Sequence, residues 1–233
     1  MLDFRTGELL LINKPHTWSS FQAVNKLKHG LKKHPSLLMD DKHVHLKIGH
    51  AGTLDPLATG LLIICTGKKT KDISGFQDLN KEYTGTFFIG ATTPCYDKEK
   101  EVNKVFDSTH ITEQLILETV QSFIGKQEQV PPMFSAIKVN GKRVYELARE
   151  GKEIELKARP IEILEFEITN CNLPLVDFRI TCTKGTYIRS IARDFGLALN
   201  SGAYLDTLCR TKIGEFDVKN ALTPEAYLDS ITN

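Results

Sequence analysis

No stretch of this 233-residue chain approaches the roughly 18 consecutive apolar residues that a membrane-crossing helix needs. The opening "MLDFRTGELLLINKP" lacks a basic region followed by a long apolar core, so it does not read as a signal peptide. Cysteine is sparse. The five residues Cys65, Cys95, Cys171, Cys182 and Cys209 are odd in number, and no two are spaced Cys-x-x-Cys. That pattern argues against a disulfide framework or a zinc knuckle and fits reduced thiols in a cytosol. Neither a Gly-x-Gly-x-x-Gly run nor a Walker A loop is present. "TGKKTK" lacks the spaced first glycine and the Gly-Lys-Ser/Thr ending, so no nucleotide cofactor is expected. No histidine pair combines His-x-x-x-His spacing with a nearby carboxylate in a convincing helix, so no metal is expected either. Excess charge of one sign is also missing: 30 basic residues face 29 acidic ones. Any binding to nucleic acid must therefore come from where charge is placed. The expectation is a cytoplasmic monomer without cofactor, metal or membrane contact.

What is present is an irregular mixture of strand and helix patterns. "GELLLINKP" reads as a buried strand stopped by Pro15. "SSFQAVNKLKHGLKK" places Phe21, Val24, Leu27 and Leu31 on one helical stripe behind Ser19 or Ser20 as cap. "LLIICTG" and "KEYTGTFFIGATT" are further strand candidates, and "TEQLILETVQSFI" is an amphipathic helix opened by Thr112. Asn140-Gly141 in "AIKVNGKRVYELAREG" marks a hairpin, followed by a helical "VYELARE". "IEILEFEITNC" and "LVDFRITC" alternate and should pair antiparallel; a helix follows at "GTYIRSIARDFGLAL" and extended chain at "YLDTLCRTKIGEF". Without regular βαβ alternation, the fold class is α+β with a mixed, mainly antiparallel sheet, in one domain over residues 1–233.

Charge is clustered. Lys26, Lys28, Lys32, Lys33, Lys42 and Lys47 share a stretch with Asp40, Asp41 and five of the seven histidines. "GKKTK", "KVNGKR", and Arg179, Lys184, Arg189 and Arg193 add further basic groups. Any one cluster alone is an ordinary solvated face. Four of them near candidate catalytic loops raise the case for a phosphate-tracking surface.

The stretch "GHAGTLDPLATG" holds one carboxylate, Asp55, among three glycines and before a proline. Two readings stand side by side. Asp-Pro is a good helix start, with the carboxylate capping free N–H groups. Alternatively, Gly49, Gly52 and Gly60 let a ligand approach a carboxylate that acts as nucleophile or base. An ionised, shielded carboxylate needs a counter-charge, and Arg189 is the best candidate. A cation is disfavoured in a helix's first turn, which suggests that Arg189 points at something negative. The plain alternative is a surface ion pair with Asp194 or a neighbour. Tyr83 and Tyr187 are either half-buried tyrosines or stacking platforms for a base, and His50 is either a turn residue or part of the same site.

Together these segments resemble the TruB family of tRNA pseudouridine synthases. The resemblance is carried by "GELLLINKPHTWSSFQAVNKLK", "KIGHAGTLDPLATGLLIICTGKKTK", "KEYTGTFFIGATTPCYD", "VPPMFSAIKVNGKRVYELAREG", "CTKGTYIRSIARDFG" and "GAYLDTLCRTKIGEF", in order, from about residue 7 to residue 217. It implies a pseudouridine synthase fold and an isomerase that converts the T-loop uridine at tRNA position 55, with the target base flipped out. It implies that Asp55 is the catalytic aspartate and Arg189 its partner. Tyr83 stacks on the base and is a candidate for the closing proton transfer, a role that needs a special environment for a group near pKa 10. His50 fills the gap left by the extruded nucleotide, and Tyr187 and Leu208 line the uracil pocket. Residues from about 130 to 159 match the family's RNA-clamping thumb, with Lys138, Lys142 and Arg143 facing phosphate and Arg193 and Arg210 as further RNA contacts. Lys14 and Pro15 match a Lys-Pro motif that supports the active-site loop.

The sequence also departs from the family pattern. About 17 residues follow Phe216, too few for the RNA-binding module many bacterial members carry there, and they read as one closing helix. The link between the first helix and the active-site segment is longer than usual, and Cys209 stands where many relatives have arginine. Two other functions remain open at this stage: an RNA-folding chaperone with little turnover, and a related synthase acting on another RNA.

Overall fold

A computed structural model describes residues 2–32, 34–39, 42–43, 45–135, 138–139, 142–144 and 156–232. The chain divides into two compact units: Met1–Tyr83 with Leu208–Asn233, and Thr84–Thr207. Among the described residues, no helix is long and apolar enough to cross a membrane.

The first unit is built on β1 (Leu9–Lys14) and β5 (Thr59–Thr66), antiparallel over their length with Leu10 opposite Ile64 and Ile12 opposite Leu62. Strand alternation sends successive side chains to opposite faces. Leu10, Ile12, Leu62 and Ile64 join Ala23, Val24, Leu27 and Leu31 in one core. Leu61, Ile63 and Cys65 join Ala51 and Ile213 in another. The first core is closed by α1 (Ser20–Leu31) and by Tyr227, Leu228 and Ile231 of α5 (Pro224–Thr232), the closing helix expected from the sequence. The second is closed by Ile73 and Phe76 of α2 (Ile73–Asp78) and by Phe216.

Helix α1 begins as its sequence dictates. Ser19 caps it, accepting from the Gln22 N–H while the Gln22 side chain accepts from the Ser19 N–H, a reciprocal capping box. One expectation for its face fails. Phe21 is 68% exposed, and the buried stripe runs through Ser20, Ala23, Val24, Leu27 and Leu31. Ser20 takes the inward position because its hydroxyl is hydrogen-bonded to Leu54, which rotates Phe21 out to solvent.

The long link after α1 is anchored by Leu37 and Leu46, both buried against Phe4, around a short antiparallel ladder of β2 (Leu38–Met39) and β3 (Lys42–His43). Next, β4 (Ile48–His50) pairs antiparallel with β5. The far end of β14 (Ala203–Ile213) pairs with β5 in parallel, Cys209 opposite Thr59 and Arg210 opposite Gly60, before turning into β15 (Phe216–Asp217). The unit is therefore mixed and mainly antiparallel.

The second unit carries the outer part of β6 (Lys81–Ile89), the short pair β7 (Ala91–Thr92) and β8 (Lys104–Val105), and β9 (Gly125–Gln129). Its backbone is the antiparallel pair of β12 (Arg159–Asn172) and β13 (Leu175–Cys182), which matches the alternation of their sequences. β9 adds to β12 with Gln129 opposite Arg159. α3 (Glu113–Ser122), capped by Thr112, and α4 (Ile188–Ala198) bring Phe123 and Phe195 onto Phe87, Phe166 and Phe178. Phe87 and Phe178 stack with centroids 4.1 Å apart. In the expected thumb region, β10 (Lys138–Val139) and β11 (Lys142–Arg143) pair with Val139 opposite Lys142, the register a two-residue loop requires. Residues 136–137, 140–141 and 145–155, including all but Val144 of the expected helix after the hairpin, lie outside the described residues.

Candidate active site

Asp55 does not open a helix. The chain makes a single turn over Pro56 and Leu57, closed by the Ala58 N–H donating to the Asp55 carbonyl at 3.1 Å, and enters β5 at Thr59. The segment between β4 and β5 is thus a tight connection with a half-buried Asp55 near its tip.

Three buried side chains, from three different elements, hold the backbone around that carboxylate. Ser20 of α1 donates from Oγ to the Leu54 carbonyl at 3.1 Å and accepts from the Leu54 N–H at 2.8 Å. Lys14 of β1, fully buried, donates from Nζ to the carbonyls of Pro15 at 3.0 Å, Pro56 at 3.2 Å and Trp18. Arg210 of β14 donates from Nε to the Leu61 carbonyl at 2.8 Å and from Nη2 to the Gly52 carbonyl at 3.1 Å. Gly52, Leu54 and Pro56 are each fixed, so Asp55 sits on a loop with little freedom. Two glycines make this path possible. Gly52 and Gly60 have φ of +99° and +103°, a region that side chains disfavour. A Cβ on Gly60 would also strike the Arg210 backbone.

Electrostatics follow the burial. Desolvation pushes the Lys14 ammonium down to about 8, with Asp55 drawing it back up and Arg210 lowering it further. His50 titrates below its usual range, because burial first and Arg210 second disfavour its cation. Its Nδ1 is buried with no hydrogen-bond partner among the described residues. Of the remaining expected residues in this unit, Tyr83 is buried on β6 at 9% exposure, and Leu208 is half-buried on β14, its carbonyl accepting from Thr59 Oγ1 at 3.4 Å.

The placement of Arg210 corrects its expected role. It is 2% exposed and turned inward onto two carbonyls, so it braces the Asp55 loop instead of facing phosphate. Its strand position, opposite Gly60 in a parallel pair with β5, sets it beside the carbonyls of Gly52 and Leu61. Arg179 likewise spends its guanidinium on Glu167 at 2.6 Å and Glu165 at 2.9 Å.

In the second unit, Arg189 is 5% exposed, which excludes the surface pair with Asp194. Asp194 instead pairs with Arg193 at 2.7 Å, and the Arg193 guanidinium lies over the Tyr96 ring. Arg189 donates to the carbonyls of Phe134 at 2.8 Å and Cys95 at 3.3 Å, and its Nε lies 3.6 Å from Asp97 Oδ2. Asp97, 5% exposed, was not singled out from the sequence. The aspartate in "ATTPCYD" was the available signal, but nothing local ties it to an arginine 92 residues away. Tyr187 is half-buried at the head of α4. The side chains of Lys138, Lys142 and Arg143 lie outside the described residues.

Comparison with known proteins adds three findings. Residues 40–188 match the family described as TruB family pseudouridylate synthase (N terminal domain). The chain is 57% identical over 229 residues to the tRNA pseudouridine synthase B of Flavobacterium johnsoniae, covering 98% of each. It is 49% identical over 232 residues to the protein of that name from Phocaeicola vulgatus, covering 97% of this chain and 94% of that one. Among solved structures, a chain of a Cbf5-Nop10-Gar1 complex superposes with a TM-score of 0.70 over 97% of this chain at 24% identity. This chain spans only 55% of that one, and the likeness is one of fold.

Proposed function

The chain belongs to the TruB family of pseudouridylate synthases, an isomerase family of α+β pseudouridine synthase fold, and we propose that it converts the T-loop uridine at position 55 of tRNA to pseudouridine. Full-length identity to curated tRNA pseudouridine synthases B supports tRNA as the substrate. The geometry around Asp55 carries the reading. A carboxylate stands on a loop whose backbone is tied at Gly52, Leu54 and Pro56 by Arg210, Ser20 and Lys14. Preorganisation of this kind aims a reacting group before substrate arrives.

The reaction breaks C1′–N1, turns the uracil and joins C5 to C1′, with the C5 proton lost to solvent and N1 protonated. Asp55 supplies the carboxylate, by attack on C1′, addition at C6, or assistance to elimination. All three need it ionised, which a guanidinium partner favours, and the family resemblance assigns that part to Arg189. Tyr83 stacks on the extruded base, Tyr187 and Leu208 line its pocket, and neutral His50 fills the vacated gap. Extrusion costs a few kcal/mol of stacking, which these contacts offset. The 130–159 insertion, with Lys138, Lys142 and Arg143, clamps the T-stem-loop.

The direct test is a sequencing or mass map of pseudouridine in unmodified tRNA treated with the protein. Pseudouridine at position 55 alone is expected. An unmodified tRNA, or modification only elsewhere, overturns the reading.

A further inference from the structure

We propose that Gln129 is a positioning residue for this reaction, holding Tyr187 and, two residues on, Arg189 from the root of the 130–159 insertion; this rests on the function proposed above. Gln129 is 4% exposed, and a buried carboxamide is costly unless both ends are bonded. Here both ends go to one residue. Gln129 Oε1 accepts from the Tyr187 N–H at 2.8 Å, and its Nε2 donates to the Tyr187 carbonyl at 3.1 Å.

Tyr187 is the N-cap of α4 and provides no side-chain cap of its own. Its carbonyl also accepts from the Ile191 N–H at 3.1 Å, the first bond of the helix. Fixing Tyr187 therefore fixes the entry angle of α4, and with it the path of Arg189 in the first turn. The first two turns grip the chain just beyond Gln129. Ser190 Oγ donates to the Val130 carbonyl at 2.9 Å, Arg193 Nη2 to the same carbonyl at 3.2 Å, and Arg189 Nη2 to Phe134 at 2.8 Å. Gln129 also lies opposite Arg159 in the β9–β12 ladder, so the insertion leaves and returns at this one pair. The residue that closes the base of the insertion is thus the residue that clamps the head of the site helix.

The test compares wild type, Gln129→Ala and Gln129→Glu in tritium release from 5-tritiated uridine in T-stem-loop RNA. kcat and KM are measured per folded molecule, and hydrogen exchange is followed at the Tyr187 amide. Gln129→Ala removes both bonds; a fall in kcat on the order of 10- to 100-fold is expected, with KM within about twofold. Gln129→Glu keeps size and acceptor and loses the donor, so a fall of about tenfold is expected from it. The Tyr187 amide should exchange faster in the alanine variant. If the alanine variant does not fold, the glutamate variant decides. Wild-type kcat in both variants, or a loss confined to KM, overturns the role of Gln129 alone. An inactive wild type overturns the proposed function and this inference with it.

Discussion

Lys14 donates from Nζ to the Pro56 carbonyl at 3.2 Å, tying the last residue of the first strand to the residue directly after Asp55. A buried ammonium is expensive, and three carbonyls surround this one. The arrangement sets the height of the Asp55 loop above the β1–β5 pair.

Lys14→Met should lower stability by about 1–3 kcal/mol, since three part-buried carbonyls lose their donor. Its pH signature has a definite sign. The folded chain holds this ammonium at about 8, against an ordinary lysine value of 10.5 once unfolded. Below about 8 both states carry the proton, and the Lys14 contribution is flat. From about 8 to 10.5 the unfolded chain holds a proton that the folded chain has released, so stability rises with pH. Denaturant midpoints of wild type and Lys14→Met, followed from neutral pH up to about 10.5, check this. A constant difference throughout would refute it.

Asp55→Asn keeps the loop shape and removes the charge. Turnover in the tritium-release assay should fall by at least about a thousandfold, a loss worth about 4 kcal/mol. Binding of T-stem-loop RNA should stay within a few-fold. An active variant would sink the assigned role of Asp55.

Gly60→Ala places a Cβ against the Arg210 backbone at a φ that alanine resists. A cost of about 3 kcal/mol or more is expected, because strain and clash act together. Chemical denaturation measures it; a loss below about 1 kcal/mol would mean that β5 and β14 part easily there.

Arg189→Lys keeps a cation but not the planar fork. The Cys95 carbonyl, the Phe134 carbonyl and Asp97 are reached by three different nitrogens, Nη1, Nη2 and Nε, a spread that a single ammonium nitrogen does not reproduce. kcat should drop by more than about tenfold, with KM changed less. Unchanged kcat would detach Arg189 from the chemistry.

RNA affinity should weaken steeply with salt, each neutralised phosphate adding roughly 0.7 to 0.9 to the logarithmic slope. Filter binding at salt concentrations from roughly 50 to roughly 200 mM tests this. A flat response would reject a phosphate-tracking surface.

Much of the fold was legible beforehand because its signals are local. Short apolar runs marked β1 and β5, period-2 alternation marked β12 and β13, and Ser19 or Ser20 and Thr112 marked two helix starts. Phe21 was misplaced because a stripe of apolar residues fixes a helix's periodicity but not its phase. A polar Ser20 with a partner in Leu54 outcompeted a phenyl ring for the inward position.

Residue order alone was enough to mark the family, through its run of segments, and to raise Asp55 among glycines and Arg189 in a helix's first turn as candidates. Folding assigned the supporting parts. Arg210 became a brace rather than an RNA contact, Arg189 acquired Asp97, and Gln129 met Tyr187 across 58 residues. Such pairings depend on strand register and on which buried carbonyls lack a donor, and both are settled only when distant segments pack together.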